Sequence, residues 1–389
     1  LRHARTLGPA PEGASTKLVT DGNDLCAAGA IYAGCEFFGG YPITPSSEIM
    51  HFLNREIWKY GGTMLQCEDE IAGIGACVGA SFAGKKALTA TSGPGMSLKT
   101  EMLGLATIAE LPLVVVNVQR GGPSTGIPTK SEQSDLFQAA FSAHGDAVRP
   151  VLAPINVADT FPITVEAFNI AEKYQTPVII LSDQEISQRK EAIDRPDTSS
   201  LRVERRRVPN QQELEHYVRF RITESGVSPI SHPGMKGGNY LASGIEHTES
   251  GAPTASGLVH SKMNDKRLRK LGPLKSRADR GTGPRLARAG RMGLDLRPGA
   301  RSVATLAPGR PRREAARAAP AVPCGRGGLP RVLRVGEAGA GGRAVAPGAA
   351  LSRDSHVRRH AGWCGILCAE RIEPDQPGGT RGAAPQPGA

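Results

Sequence analysis

The chain has 389 residues and a formal net charge of +11, but that charge is not spread along it. Residues 1–275 hold 28 Lys plus Arg against 29 Asp plus Glu, while residues 276–389 hold 20 Arg, no Lys and 8 acids. The nearly neutral first part excludes reading the basic excess as a folded nucleic-acid footprint, and no run approaches the roughly 18 apolar residues that a membrane span needs.

Residues 1–20 read as a polar lead-in that starts at Leu1 rather than Met, as a fragment or a misassigned start codon would. No basic-then-apolar leader is visible, so a cytoplasmic protein is expected. From Asp21 a regular alternation sets in: Asp24 is placed as the cap of a helix reaching Cys35, followed by a strand over Phe37–Ile43. Thr44-Pro45 reads as an N-cap followed by proline at the first helical position, opening a helix to Lys59. A strand at Thr63–Gln66, a small-residue helix at Asp69–Ala83, a strand at Lys86–Ala90 and a helix at Met96–Ala106 follow. The mostly apolar run Leu111–Val118 has the pattern of a parallel strand covered on both faces. Beyond it, Ser131–Ser142 is predicted helical, Ala147–Leu152 extended, Val157–Tyr174 helical and Pro177–Ser182 a strand. This alternation predicts an α/β fold with an open parallel sheet.

Residues 183–237 are more polar and carry Arg205, Arg206 and Arg207 in an expected linker, and the charged run Lys262–Lys270 reads as a solvated helix face. The seven cysteines include no CxxC pair, so no metal or cluster framework is expected on this chain.

In open α/β sheets ligands bind at the carboxyl ends of strands, which directs attention to four loops. Gly39-Gly40-Tyr41-Pro42-Ile43-Thr44-Pro45 offers a hydroxyl and free backbone N–H groups suited to a carboxylate or phosphate, although plain helix capping also accounts for it. Glu68-Asp69-Glu70 places acids where they complement a helix dipole, and the following Gly73, Gly75 and Gly79 miss the dinucleotide fingerprint and suit close helix packing. Thr91-Ser92-Gly93-Pro94-Gly95 is a Gly/Pro turn after a strand, a weak signal by itself. The loop from Gln119 to Lys130 is long and glycine-rich without P-loop spacing, and its Arg120 is either a bidentate binder of a planar anion or a surface arginine.

Taken in order, GYPITPSSE at 40–48, QCEDEIAGIGACVGASFAG at 66–84, TSGPGMSLKTE at 91–101 and QRGGPSTGIPTKSEQSD at 119–135 resemble the α subunit of the 2-oxoacid:ferredoxin oxidoreductases, the 2-oxoglutarate enzymes most closely. The likeness covers Asp21 to Ile193, resumes at Tyr240–His247 and Lys262–Lys270, and stops near Ser276. It implies a thiamine diphosphate pyrimidine-binding domain at 21–194, preceded by the lead-in at 1–20 and followed by a linker and the start of a second α/β domain at 195–275. It also implies oxidative decarboxylation of a 2-oxoacid to its acyl-coenzyme A with ferredoxin as electron acceptor. A β subunit is then expected to hold the diphosphate with Mg2+ and a 4Fe-4S cluster, none of them on this chain. Glu70 matches the glutamate that hydrogen-bonds the aminopyrimidine ring, with Thr91, Ser92 and Gly93 beside the cofactor. Thr44 matches a threonine next to the substrate and Arg120 an arginine facing its carboxylate, while Thr125 and Lys130 follow from loop position alone. Pyruvate or branched-chain 2-oxoacid enzymes share these motifs, and a chain lacking the last domain is alternatively an inactive structural subunit. No nucleic-acid or membrane partner is expected.

Residues 276–389 are rich in Arg, Gly, Ala and Pro and lack Lys, Asn, Phe and Tyr. Leu, Ile, Val and Phe make up 16 of these 114 residues, too few to offset the entropy of ordering a core, so a disordered tail is expected. GCN, GGN, CCN and CGN codons encode the four enriched residues, and the missing ones need AT-rich codons, which is the signature of GC-rich DNA read out of frame. Reading the gene in its other two frames checks this. An apolar continuation containing Phe and Tyr is expected, and its absence from both frames overturns the idea.

Overall fold

The computed structural model describes residues 17–274 and 302–305. Strand β1 (Lys17–Thr20) precedes helix α1 (Gly22–Tyr32), and then come β2 (Phe37–Gly40), α2 (Ser47–Glu56), β3 (Thr63–Gln66), α3 (Glu70–Phe82) and β4 (Ala87–Thr91). The helix pair α4 (Gly93–Leu98) and α5 (Thr100–Ile108) leads into β5 (Leu113–Gln119), α6 (Leu136–Phe141), β6 (Pro150–Ala153), α7 (Val157–Tyr174), β7 (Pro177–Asp183), α8 (Gln184–Gln188) and β8 (Glu191–Asp194). Two further helices, α9 (Gln211–Glu215) and α10 (Gly257–Arg269), precede β9 (Ser302–Thr305).

The main sheet has the order β3-β2-β4-β5-β7-β6-β9. Its first six strands are parallel, as the alternation predicts, and β9 joins β6 antiparallel. Every residue of β5 is buried. Its two faces separate by the two-residue period of a strand: Val114, Val116 and Val118 enter the core beneath α1, α2 and α7, while Leu113 and Val115 enter the core beneath α3 and α5. The chain reverses direction between β2 and β4, since β3 lies on one side of β2 and β4 on the other. Here α3 approaches β2 through glycines: a Cβ at Gly39 would stand 2.7 Å from the Gly73 carbonyl oxygen, and one at Gly73 would stand 3.0 Å from the Gly40 Cα. Gly73 thus serves packing, while Gly79 meets nothing within 4 Å.

Several predicted boundaries move, each for a local reason. Helix α1 is capped by Asp21, whose Oδ1 accepts from the Asp24 N–H at 2.8 Å, so Asp24 is a first-turn acid rather than the cap. Helix α2 opens at Ser47 behind a cis Thr44–Pro45 peptide. The Thr44 and Pro45 carbonyls serve Arg120 and Asn23 side chains instead of an α2 N–H. The helix predicted at Met96–Ala106 is two helices that meet at Lys99. The antiparallel pair β1–β8 lies in stretches too polar to signal strands.

Residues 195–274 hold two helices and pack onto the sheet domain by buried charge. Arg206, within the expected linker, is 8% exposed and pairs with Glu172 at 2.5 Å while donating to the Ser81 and Lys85 carbonyls. The expectation of a solvated face at 262–270 is corrected, because α10 buries Met263, Lys266 and Arg267. Lys266 Nζ reaches Glu110 at 2.5 Å and Lys270 Nζ reaches its other oxygen at 3.1 Å, and Lys270 also donates to the Gln175 carbonyl at 2.6 Å. Burial alone would raise the Glu110 carboxyl, but Lys270, Lys266 and Arg219 hold it well below the usual carboxylate range. The sequence shows charge here without showing that Glu110, some 150 residues earlier, waits to receive it.

The out-of-frame, disordered tail expected at 276–389 lies outside the described residues except for β9, where Val303 and Thr305 belong to a short β-prone run whose backbone pairs with β6. Among the described residues no helix is long and apolar enough to cross a membrane. Glu110→Ala strands two buried ammonium groups and is expected to cost about 3–5 kcal/mol in urea-induced unfolding. A loss below about 1 kcal/mol would contradict the anchoring role.

Candidate functional site

The carboxyl ends of β2, β4 and β5 meet the first turn of α3 at the point where the strand order reverses, the place an open α/β sheet leaves a crevice. The acids of the turn before α3 divide their work. Asp69 is the N-cap, its Oδ1 accepting from the Ala72 N–H at 2.8 Å, and Glu68 is exposed. Glu70, the first helical residue, turns inward and is 8% exposed. Among the described residues no hydrogen bond or ion pair engages its carboxylate, so dipole complementation explains Asp69 and leaves Glu70 unexplained.

Helix α4 descends onto this carboxylate at Gly95. A Cβ there would stand 2.8 Å from Glu70 Oε1 and 2.1 Å from Thr91 Oγ1, so only glycine leaves this space open. Thr91 and Ser92, at the end of β4, are fully buried. Ser92 is the N-cap of α4, yet its hydroxyl caps nothing and has no partner. Gly93 gives its carbonyl to Gln138 Nε2 at 3.2 Å.

Arg120 emerges from β5 and is 5% exposed, which excludes the surface-arginine reading. It donates from NH1 to the Thr44 carbonyl at 2.5 Å and from NH2 to the Thr125 carbonyl at 2.8 Å, and its buried Nε is left without a partner. Arg120 therefore ties the β2–α2 turn to its own loop and keeps donors in reserve. Burial pushes the guanidinium down, against the pull of Asp135 and Glu70. Thr44 and Thr125 join the site through backbone oxygen, with exposed side chains. Lys130 is exposed as well, and its backbone closes the loop by pairing with Gly121 and Ile127.

Three residues that sequence reasoning passed over complete the arrangement. Asp135 accepts from Asn117 Nδ2 at 3.0 Å and is anchored by its own N–H to Gln119 Oε1 at 2.9 Å. Its carboxyl, pushed up by burial, lies 2.9 Å from where a Cβ at Gly93 would be. Asn117 was the available signal, as the polar residue inside the apolar strand LVVVNVQ. Lys99 is the third: fully buried, it donates from Nζ to the Glu70 carbonyl at 2.9 Å and to Thr89 Oγ1 at 3.2 Å. A cleft of about 680 Å³ opens beside Arg120 and Asp135, walled also by Gly93, Ser97, Ser124 and Gln138. A smaller cavity of about 340 Å³ beside Arg206 is a seam of the packed 195–274 segment, whose Arg206–Glu172 pair is already engaged.

An inward-turned carboxylate without a partner, a glycine that leaves open the space beside it and an unpartnered buried hydroxyl on the neighbouring turn fit a flat heterocycle with ring nitrogen and exocyclic amine. Thiamine diphosphate carries such an aminopyrimidine, and Glu70, Thr91, Ser92 and Gly93 are the residues that suit it. Among the described residues no group of three His, Cys, Asp or Glu side chains is placed to hold a metal.

The family described as pyruvate flavodoxin/ferredoxin oxidoreductase, thiamine diP-binding, matches residues 28–265. The chain is 45% identical over 235 residues to 2-oxoglutarate synthase subunit KorA of Methanothermobacter thermautotrophicus, covering 60% of this chain and 61% of the relative. It is 43% identical over 231 residues to 2-oxoglutarate oxidoreductase subunit KorA of Mycobacterium tuberculosis, covering 58% of this chain and 35% of that one. The chain thus spans about three fifths of the length of the first of these relatives. Among solved structures it is similar to 2-oxoglutarate:ferredoxin oxidoreductase from Magnetococcus marinus with 2-oxoglutarate, coenzyme A and succinyl-CoA bound, at 45% identity and a TM-score of 0.65, covering 67% of this chain and 45% of that one. Because the thiamine-binding match spans more than half of the sequence and encloses every residue of the cleft, the chain belongs to the pyruvate flavodoxin/ferredoxin oxidoreductase family.

Proposed function

We propose that the chain is the thiamine-binding α subunit of a 2-oxoglutarate:ferredoxin oxidoreductase, which converts 2-oxoglutarate and coenzyme A to succinyl-CoA and carbon dioxide and passes the electrons to ferredoxin. The observation that carries this reading is the inward-turned Glu70 carboxylate, which no hydrogen bond or ion pair engages among the described residues and beside which Gly95 leaves space open. The names of the relatives support the choice of oxoacid. When bound, thiamine diphosphate supplies the electron sink that decarboxylation of a 2-oxoacid requires. The chain's own residues do the rest of the work assigned here. Glu70 would accept, through Oε1 or Oε2, a hydrogen bond from the protonated pyrimidine ring nitrogen. Ser92 and Thr91 border the ring, and the Gly93 backbone flanks it. Arg120 offers its free Nε–H, with the remaining guanidinium donors, to the substrate carboxylate. Thr44, Thr125 and Lys130, with exposed side chains, are proposed to meet the dianionic oxoacid as it enters. A β subunit is proposed to contribute the diphosphate site with Mg2+ and a 4Fe-4S cluster, and the domains 21–194 and 195–275 are proposed to meet it.

Two substitutions test the roles in the assembly with its partner subunit. Glu70→Ala is expected to abolish succinyl-CoA formation while leaving the melting temperature and far-ultraviolet circular dichroism unchanged, because no fold contact uses the carboxylate. Turnover at the wild-type rate would contradict the assignment. Arg120→Leu is expected to raise the KM for 2-oxoglutarate by about tenfold to a hundredfold, the worth of a charge-assisted pair of roughly 1.5–3 kcal/mol. An unchanged KM would show that Arg120 only braces the loops.

A further inference from the structure

We propose that Lys99 is a positioning residue for Glu70: its buried ammonium holds the first turn of α3 by the Glu70 carbonyl and places a positive charge beside the carboxylate that faces the cofactor. This inference rests on the role given to Glu70 above.

Three observations carry it. Among the described residues, the other fully buried lysine, Lys266, and its neighbour Lys270 both have a carboxylate partner in Glu110, while Lys86, 3% exposed, meets the Ala33 and Glu204 carbonyls. Lys99 is fully buried and has no carboxylate partner: its three N–H donors meet one carbonyl and one hydroxyl. An ammonium withdrawn from water without a partner is costly, and a hydrocarbon side chain of similar length would fill the same space more cheaply. The second observation is placement. The Lys99 N–H bonds the Gly95 and Met96 carbonyls, so one short segment grips Glu70 from two sides, Gly95 against the carboxylate and Lys99 against the carbonyl.

The third is the set of charges around it. Facing Lys99 are Glu70, Asp69 and the Cys77 thiol of α3 together with Cys67 after β3, while β4 presents only the neutral Thr89. From the β5 side, Arg120 faces Glu70, and Asp135 at the head of α6 bears on Arg120. Glu70 is thus a carboxylate whose charge acts on both buried cations, Lys99 and Arg120. Burial pushes Lys99 down to about 8, so its charge, and the field on Glu70, disappear as the pH rises through that value.

The test measures the affinity of the full chain, assembled with its partner subunit, for thiamine diphosphate with Mg2+ by calorimetry between pH 6 and 9.5, in the wild type and in Lys99→Met, Lys99→Arg and Glu70→Ala. The wild type is expected to lose affinity above about pH 8. Lys99→Met is expected to keep or raise the melting temperature, to bind about tenfold more weakly at pH 7, and to show no alkaline loss. Lys99→Arg is expected to bind near the wild-type level at pH 7 with the alkaline loss removed. Wild-type affinity and pH profile in Lys99→Met would overturn the proposal. Should that variant fail to fold, an unaltered alkaline loss in Lys99→Arg, or a flat wild-type profile across pH 8, overturns it equally. If Glu70→Ala binds like the wild type, the role of Glu70 fails; if Glu70→Ala binds weakly and Lys99→Met binds normally, only the role of Lys99 falls.

Discussion

A carboxylate turned inward at the start of a helix, with no hydrogen bond or ion pair to it among the described residues, imposes demands on everything around it. At Glu70 the helix N-terminus, the Lys99 ammonium and the Arg120 guanidinium supply positive potential without forming a closed ion pair. That arrangement leaves the carboxylate free to meet a ligand. Had Glu70 been paired with either cation, the buried charge would have been compensated and the group removed from chemistry. Gly95 is the geometric counterpart of the same constraint, since any side chain there would occupy the space that the carboxylate faces.

The sheet makes this possible because its strand order reverses between β2 and β4. The reversal brings four chain segments, remote in sequence, to one edge without crossing connections. Arg120 then joins two of them through carbonyls, and Asp135 leans on a third at Gly93. On the far side of the domain, buried charge does a different job. Glu110 pairs with Lys266 and Lys270, and Glu172 with Arg206, and these pairs tie the segment to the sheet domain. The contrast between closed pairs there and an open carboxylate at the cleft separates structural charge from functional charge within one protein.

Much of the fold is legible in the sequence, since apolar runs such as Leu113–Val118 and the amphipathic span Val157–Tyr174 carry periods that local physics enforces. The places where the proposed site residues fall are legible too, since Glu70, Thr91 to Gly93 and Arg120 all lie where a strand ends and the chain turns toward a helix or loop. Thr125 and Lys130 were placed by loop position alone, and their side chains face solvent. What escapes the sequence is partnership across distance. Lys266 and Lys270 look like solvated charge until Glu110 is seen beneath them, and Lys99 looks like any helix lysine until its ammonium is found under Glu70. The Thr44 turn misleads for the same reason, because its carbonyl belongs to an arginine 76 residues away and not to the helix it precedes.

Glu70 is proposed to meet the ring nitrogen of an aminopyrimidine. A crystal structure of the assembly with thiamine diphosphate tests it most directly. The account predicts a Glu70 carboxylate oxygen within hydrogen-bond reach of that nitrogen, about 2.6–3.2 Å, with the Ser92 hydroxyl no longer without a partner. A pyrimidine ring seated elsewhere, or a Glu70 side chain turned away from it, would contradict the account.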